Sequence, residues 1–437
     1  MNLSEIFGVP GPLLAVGLDA STWLGALLAF GILTLWIPSY WPVSVFQTGS
    51  FALAGVAIWR ARSEGLRLRW PILPLSFAVV WGVIQWSTRH TAYAYETRLA
   101  ILKWATFLSV FLSGTIFLRD THVRQRFRSA VLWFGSFIAI LATLQTFTSQ
   151  GKVFWLFPTR YTDSVMGPML SRNDFAAFIE VILPIALYQA VRREREGWLY
   201  SALSALLYAS VIASASRAGT VLATAEVLLV PLLLWVRRGA PGRTSVAALA
   251  QVLLLVTAFA AVVGVGPLWT RFQDKDPMAG RREFAVATWH MAVSHPWTGT
   301  GLGTWATVYP AYAVVDLDAS VNQAHDDWLQ WVAEGGFPFG IVLATLLLWS
   351  VRPAFRSVWG VGVVAVFLHA LVDYPFAKPA LGAWPLLIAA MLSAEHRKHD
   401  EISDPPLPNG RGSDGSESPG RSLTSSLTCP TNKKQSD

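Results

Sequence analysis

A polar segment from Arg271 to Glu334 interrupts a chain that otherwise consists mainly of long apolar stretches. It carries two adjacent arginines, Arg281 and Arg282, and a histidine, His325, in the sequence AHDDWLQWVAEGG. Guanidinium groups bind anions through several hydrogen bonds at once, and a neutral imidazole can accept a proton near neutral pH. The segment therefore predicts a site that combines anion binding with acid–base chemistry.

His325 is the strongest candidate for the acid–base group. Either of the two following residues, Asp326 or Asp327, would orient the imidazole or stabilise its charged form. The alternative is a surface histidine at the start of a helix over Asp326–Glu334, where acidic residues suit the positive helix N-terminus. The other histidines of the segment are interpreted as structural.

Three arginines define the candidate anion site. Arg281 and Arg282 open a stretch bracketed by Gly280 and Pro296, which predicts a short amphipathic helix on a membrane surface. Neighbours on a helix point about 100° apart, so one arginine would face inward and the other water; the alternative is a helix that its cations anchor to lipid. Arg217, in SASRAG, either faces a bound anion or snorkels to lipid head groups.

Two patterns resemble metal or phosphate sites. Asp316 and Asp318 form a D-x-D pair, but so short a pattern occurs often by chance. The glycines of GTGLGTW, which are Gly299, Gly301 and Gly303, lack the lysine of a phosphate-binding loop and a preceding strand. We therefore expect no metal and no cofactor, and we interpret the glycines as a tight turn or as flexible backbone beside a bulky ligand.

The composition indicates that lipid surrounds most of the chain. Hydrophobic residues make up 53% and charged residues 14% of the sequence, whereas soluble domains carry roughly 25% charged residues. Apolar stretches near the length that crosses a bilayer lie at 20–38, 41–59, 71–87, 99–118, 129–147, 173–191, 198–214, 218–236, 246–268, 337–351, 357–373 and 379–394. The sequence predicts an all-α, polytopic membrane protein of about 12 transmembrane helices, with one large external loop that carries short helices.

The arginines between these stretches predict the orientation. Dense clusters occupy every second connection, at 60–69, 119–128, 192–195, 237–243, 352–356 and 397–398. The positive-inside rule assigns such loops to the cytoplasm. Both termini would then be cytoplasmic, and the external segments would be 89–98, 150–172, 214–217, 271–336 and 373–378. The net charge of +7 reflects this asymmetry and does not indicate nucleic-acid binding.

The ends of the chain contribute little to this site. The first residues, MNLSEIFGVP, lack a basic region and a cleavage site, so no removable signal peptide is expected. The single cysteine, Cys429, excludes an intramolecular disulfide. Residues 395–437 are rich in Pro, Gly and Ser and are expected to form a disordered cytoplasmic tail. The membrane domain would span 1–394 and include the catalytic loop 269–336.

Five motifs occur in a fixed order along the second half of the membrane region. They are SRNDFAAFIEVILPIAL (171–187), SRAG (216–219), GRREFAVATW with HPWTGTGLGTW (280–305), AHDDWLQWVAEGG (324–336) and HALVDYPF with Pro379 (369–379). Together with the topology, this set resembles the O-antigen ligase and polymerase superfamily of bacterial envelopes. The first half of the chain matches only in hydropathy.

The resemblance implies a membrane glycosyltransferase whose active site faces the periplasm from a bacterial inner membrane. Its donor would be a glycan on undecaprenyl pyrophosphate, used without nucleotide sugar or metal. By the same resemblance Arg217 and Arg281 bind the pyrophosphate, with Arg282 as the substitute, and His325 activates the acceptor hydroxyl. Further residues expected to line the cavity are Arg172, Asn173, Asp326, His369 and Asp373. Asp326 departs from the Asn that often follows this histidine in the family.

The acceptor distinguishes several activities. An O-antigen ligase acting on lipid A core is favoured, because the one large external loop lies late in the chain. A polymerase of lipid-linked glycans and a protein O-oligosaccharyltransferase are the alternatives within the superfamily. A transporter or flippase of lipid-linked sugars is disfavoured, because the spans carry few charged residues and no clear repeat. The 21 tryptophans indicate interfacial belts and not haem binding.

Overall fold

The computed structural model describes residues 19–64, 69–159, 165–193, 195–238, 243–263, 266–273, 279–313 and 321–403. The helices of this part of the chain are α1 (Ala20–Leu33), α2 (Tyr40–Glu64), α3 (Ile72–Ser87), α4 (Ala94–Phe117), α5 (Thr121–Thr148), α6 (Arg172–Arg192), α7 (Gly197–Ser214), α8 (Arg217–Arg238), α9 (Arg243–Val263), α10 (Gly266–Phe272), α11 (Ala279–Ser294), α12 (Trp305–Val308), α13 (Asp327–Gly335), α14 (Phe337–Ser357), α15 (Gly362–His369) and α16 (Pro379–Ser403). One small antiparallel hairpin, β1 (Lys152–Val153) and β2 (Phe157–Pro158), precedes α6.

The helices form a bundle suited to a bilayer. Among the described residues, seven helices are long and apolar enough to cross a membrane, namely α2, α4, α5, α6, α7, α8 and α14. Three shorter apolar helices are α1, α3 and the first part of α16. The all-α, multi-pass membrane fold predicted from the composition is confirmed, whereas the number of twelve spans stays a prediction.

The stretch 357–373 differs from its expected form. Its helix, α15, has eight residues and rises about 12 Å, which is less than half of the ~30 Å hydrocarbon core. The apolar side chains Val363, Val366 and Phe367 are buried inside the bundle. Hydropathy does not distinguish apolar side chains that face protein from those that face lipid. The apolar stretch 357–373 therefore predicted a longer helix than the structure has. Helix α16, in contrast, continues to Ser403, past the expected boundary at 394.

Helix α6 is the centre of the bundle. Nearly all of its side chains are buried, because α5, α7, α8, α15 and α16 pack around it. Gly219 of α8 allows a close approach, since a Cβ at this position would overlap the side chain of Ala176. The N-terminus of α6, at Arg172, therefore opens in the middle of one end of the bundle and does not face lipid.

The spans carry few charged residues, as the sequence indicates, but two of these residues lie in the interior. Glu180 of α6 and Glu226 of α8 are both buried. Glu180 contacts His369, the last residue of α15. Ionisable groups inside membrane spans are costly and usually mark a function. The burial of Glu180 next to His369 therefore needs a physical explanation.

Contacts at the helix ends divide these ends into two groups. At the arginine end, defined by the arginine-rich connections, the guanidinium of Arg60 lies 5.5 Å from the ring centroid of Phe117. At the site end, defined by the polar segment and the connections beside it, Gln85 donates a hydrogen bond to the carbonyl of Thr298 at 2.7 Å. Connections predicted for one face of the membrane therefore meet at the same end of the bundle.

We expect the site end to face outward and the arginine end to face the cytoplasm, because basic loops are retained inside. In a Cys429→Ser background, Thr298→Cys should react with a membrane-impermeant maleimide on intact cells. Glu196→Cys, on the connection between α6 and α7, should react only after the membrane is opened; both positions are exposed. Labelling of both cysteines from the same side would contradict this orientation.

Candidate active site

The carboxylate of Asp373 lies at the centre of the site end and is only 5% exposed. Its Oδ1 accepts a hydrogen bond from the backbone N–H of Tyr374 at 3.0 Å and lies 3.6 Å from Nδ1 of His325. Its Oδ2 accepts a hydrogen bond from the side-chain amide of Asn173 and lies 3.5 Å from Nη2 of Arg281. One carboxylate thus contacts the candidate base, a candidate anion-binding arginine and the central helix.

The imidazole of His325 is held by aromatic neighbours. It stacks on the ring of Phe284 with centroids 5.8 Å apart and meets the ring of Tyr374 edge-on at 4.7 Å. The backbone φ of His325 is +58°, a left-handed conformation that is uncommon for a residue with a side chain. Because Nδ1 is buried while 30% of the side chain is exposed, the nitrogen left for a substrate is Nε2.

The two aspartates that follow His325 do not orient it. Asp326 is the N-cap of α13 and accepts a hydrogen bond from a backbone N–H of that helix at 2.9 Å. Asp327 accepts a hydrogen bond from the backbone N–H of Phe376 at 2.9 Å, and burial raises the pKa of Asp327 well above its ordinary value. The expectation that one of them would orient the imidazole is wrong, because both carboxylates already bind backbone groups, and Asp373 lies beside the ring instead.

A helix is present around the two adjacent arginines as α11, and the two side chains differ in exposure as expected. Arg281 is partly buried, with 26% of its side chain exposed, and its Nη1 donates a hydrogen bond to the carbonyl of Val372 at 2.8 Å. Arg282 is exposed. The buried face of α11 includes Phe284, which places Arg281 and the ring that supports His325 on one helix.

Arg217 is the first residue of α8, and protein groups hold its guanidinium. Its Nη1 donates a hydrogen bond to the carbonyl of Arg271 at 3.0 Å, and Nη1 of Arg271 donates in return to the carbonyl of Ala215 at 2.9 Å. The preceding Ser216 donates from Oγ to Oδ1 of Asn173 at 2.7 Å. Arg217 therefore lies at the site end and is joined to its centre through Asn173.

The two remaining predicted residues are Arg172 and His369. Arg172 begins α6, directly before Asn173. His369 was expected to line the cavity, but its side chain is fully buried behind the loop that carries Asp373. It therefore cannot contact a substrate directly.

The structure adds a lysine that the sequence analysis did not single out. The Lys378 ammonium contacts the carboxylate of Asp174 and lies 5.7 Å from the ring centroid of Tyr374, the ring that meets His325. A signal for Lys378 was present in the sequence, because it is a cation in a segment predicted to be external, where positive charge is disfavoured.

The glycine-rich segment GTGLGTW forms a tight turn, which was one of the two interpretations of its sequence. Gly299 has a φ of +66°, and a Cβ there would overlap the backbone of Glu334, so only glycine fits. The N–H of Gly303 donates a hydrogen bond to the Glu334 carboxylate at 2.8 Å. Asp316 and Asp318 lie outside the described residues. Within the described part of the chain, no three His, Cys, Asp or Glu side chains are grouped as metal ligands would be.

Electrostatics keep Asp373 ionised. Burial raises the pKa of this carboxyl, but the neighbouring His325, His369 and Arg281 outweigh burial and lower the pKa below its usual 3.8. A carboxylate facing Nδ1 of His325 favours a proton on that nitrogen and leaves Nε2 as the acceptor. With Arg281 alongside, the site has the groups needed to take a proton from a hydroxyl and to neutralise a nearby anion.

Part of the chain matches a known protein family. Residues 202–344 match the family model described as O-antigen ligase. The match runs from α7 into α14, covers less than half of the chain, and includes Arg217, Arg281 and His325 but neither Asn173 nor Asp373. The resemblance to the O-antigen ligase and polymerase superfamily is thereby confirmed, and the all-α membrane fold is consistent with a membrane glycan ligase or polymerase. No curated protein matches the chain.

Asp373→Asn should lower the free energy of unfolding by about 1–3 kcal/mol near neutral pH, because the partly buried guanidinium of Arg281 loses its counter-ion. Since the pKa of Asp373 in the folded protein lies below 3.8, its charge stabilises the fold above about pH 4, and this contribution is lost as the pH falls further.

Chemical unfolding of detergent-purified wild type and Asp373→Asn across this pH range measures the difference. Asp326→Asn is the matched control, because asparagine retains the capping oxygen and should change stability little. A difference for Asp373→Asn that stays constant, or grows, on acidification would contradict the ion pair.

Proposed function

We propose that this protein transfers a preassembled glycan from undecaprenyl pyrophosphate to an acceptor hydroxyl at the periplasmic face of a bacterial inner membrane. The observation that carries the proposal is the Asp373 carboxylate, which contacts both His325 and Arg281. A base and an anion-binding group thus share one site at the end of an apolar bundle. The O-antigen ligase match over 202–344 supports the same class of reaction.

In the proposed reaction, Nε2 of His325 removes the proton of the acceptor hydroxyl as its oxygen attacks the anomeric carbon. The bond from that carbon to the pyrophosphate oxygen breaks, so the configuration inverts and undecaprenyl pyrophosphate leaves with the electron pair. Asp373 stabilises the resulting imidazolium. Arg281 and Arg217 neutralise the charge that grows on the pyrophosphate, which bidentate guanidinium groups do without a metal.

A groove beside the site supports a lipid-linked donor. It has a volume of about 170 Å³ and lies between α1, α2 and the start of α16. Its walls are mainly apolar and include Leu35, Val43 and Phe46, and Lys378 also lines it. Because Lys378 contacts Asp174 in the first turn of α6, the groove joins the apolar surface to the site. This combination suits the few carbons of an isoprenoid chain that adjoin its phosphate.

For the acceptor we favour lipid A core, which makes the protein an O-antigen ligase; the alternative is a polymerase that extends lipid-linked glycan. Purified protein in liposomes is supplied with undecaprenyl-pyrophosphate glycan, with and without lipid A core, in the presence of EDTA. Glycan on lipid A is the expected result. Elongated lipid-linked glycan would indicate the polymerase, and no transfer to either acceptor would overturn the proposed function.

His325→Ala should reduce transfer by about 10²–10⁴-fold, the usual contribution of a general base. The variant should remain folded and inserted, because the ring is partly exposed and makes no contact that joins two spans. His295→Ala is the matched control, since this histidine is exposed just after α11 and should keep wild-type turnover. Retained turnover in His325→Ala would refute its role as the base.

Arg281→Ala and Arg282→Ala form a second matched pair on one helix. Loss of the partly buried Arg281 should lower kcat/KM for the donor by about 10²-fold or more, because a charge-neutralising donor is missing in the transition state. The exposed Arg282 should tolerate alanine with little change. Equal losses in both variants would mean that the segment acts only as a cationic anchor on the membrane surface.

A further inference from the structure

A hydrogen-bonded histidine–glutamate pair lies in the bundle interior directly behind the site. Nδ1 of His369 and Oε1 of Glu180 are 2.8 Å apart, and both side chains are fully buried. The other oxygen of Glu180 and Nε2 of His369 are buried without a hydrogen-bond partner. Apolar side chains of similar size usually stabilise an interior at least as well as a buried ion pair. Stability alone therefore gives a weak reason for this pair.

The backbone connects this pair to the site. His369 is the last residue of α15, and its carbonyl accepts hydrogen bonds from the N–H groups of Val372 and Asp373, both at 3.0 Å. The carbonyl of Val372 binds the guanidinium of Arg281, and the carboxylate of Asp373 faces His325. One short loop thus carries the groups that hold both the arginine and the base, and His369 anchors that loop to α6.

We infer that Glu180 is a positioning residue for the transfer reaction: it holds His369 as an imidazolium, whose charge and backbone fix Asp373 beside His325. The inference rests on the proposed function and extends the site from the end of the bundle into its interior. Glu180 touches no substrate, so its effect must pass through His369 and Asp373.

The charges around His369 determine in which direction the loss of Glu180 shifts the pH dependence of the site. Glu180 faces it from α6, Asp373 from the following loop, Arg281 from α11, and Asp174 lies near the same group. Without the Glu180 charge, no carboxylate pairs with Nδ1, and a buried imidazole then favours its neutral form. The carboxylate of Asp373 would then lose a nearby positive charge, so its pKa would rise.

The test is the pH dependence of kcat in the liposome transfer assay for wild type, Glu180→Gln, Glu180→Asp and Glu226→Gln. Glu180→Gln should move the acid limb of the profile to higher pH by roughly one unit, which is the usual effect of one nearby charge on a pKa. Glu180→Asp keeps the carboxylate and should restore the wild-type limb. Glu226→Gln removes a buried carboxyl of the neighbouring helix that has no hydrogen bond to His369, and its limb should not move.

Each outcome decides between the alternatives. A lower rate at every pH with an unmoved limb in Glu180→Gln would show a merely structural role and overturn the inference, while wild-type transfer would leave the proposed function standing. Absence of wild-type transfer would overturn both. If Glu180→Gln fails to fold, His369→Gln is the second variant, because it removes the same positive charge. Its acid limb should move to higher pH by at least as much. An unmoved acid limb in His369→Gln would also overturn the inference.

Discussion

A single buried carboxylate, that of Asp373, holds together parts of the chain that are distant in sequence. An ionised group out of water must be paired or hydrogen-bonded, because the energetic cost of leaving it unpaired is several kcal/mol. Asp373 meets this requirement through Asn173 of α6, Arg281 of α11 and His325 before α13. Each of these partners is therefore fixed relative to the others. The geometry of the candidate site follows from the need to compensate this charge.

The bundle makes such a site workable. Helix α6 is surrounded by protein, so Asn173 at its N-terminus lies in the middle of the site end and not at the lipid boundary. Side chains that are shielded from water interact more strongly, because the local dielectric constant is lower than that of the solvent. Glu180 and His369 extend the same polar group inward along α6. The site is thus one end of a column of polar groups inside a mainly apolar bundle.

The sequence predicted much of this arrangement but not its centre. Apolar length and alternating arginine clusters were sufficient for the helical membrane fold, and one-residue spacing on a helix separated partly buried Arg281 from exposed Arg282. The partner of His325 was not predictable in this way. Asp326 is adjacent in sequence but caps α13, whereas Asp373 arrives from beyond α14 and α15, and only the packed bundle brings it near. Likewise, hydropathy could not show that α15 is too short to span, since its apolar residues face protein.

A structure of the protein with undecaprenyl pyrophosphate bound in a lipid nanodisc tests this arrangement most directly. The pyrophosphate should lie within hydrogen-bond distance of the Arg281 guanidinium, with Arg217 facing it. Nδ1 of His325 should remain against the carboxylate of Asp373, and Nε2 should point into the space next to the pyrophosphate. A pyrophosphate bound away from Arg281, or a His325 separated from Asp373 while the lipid is bound, would contradict it.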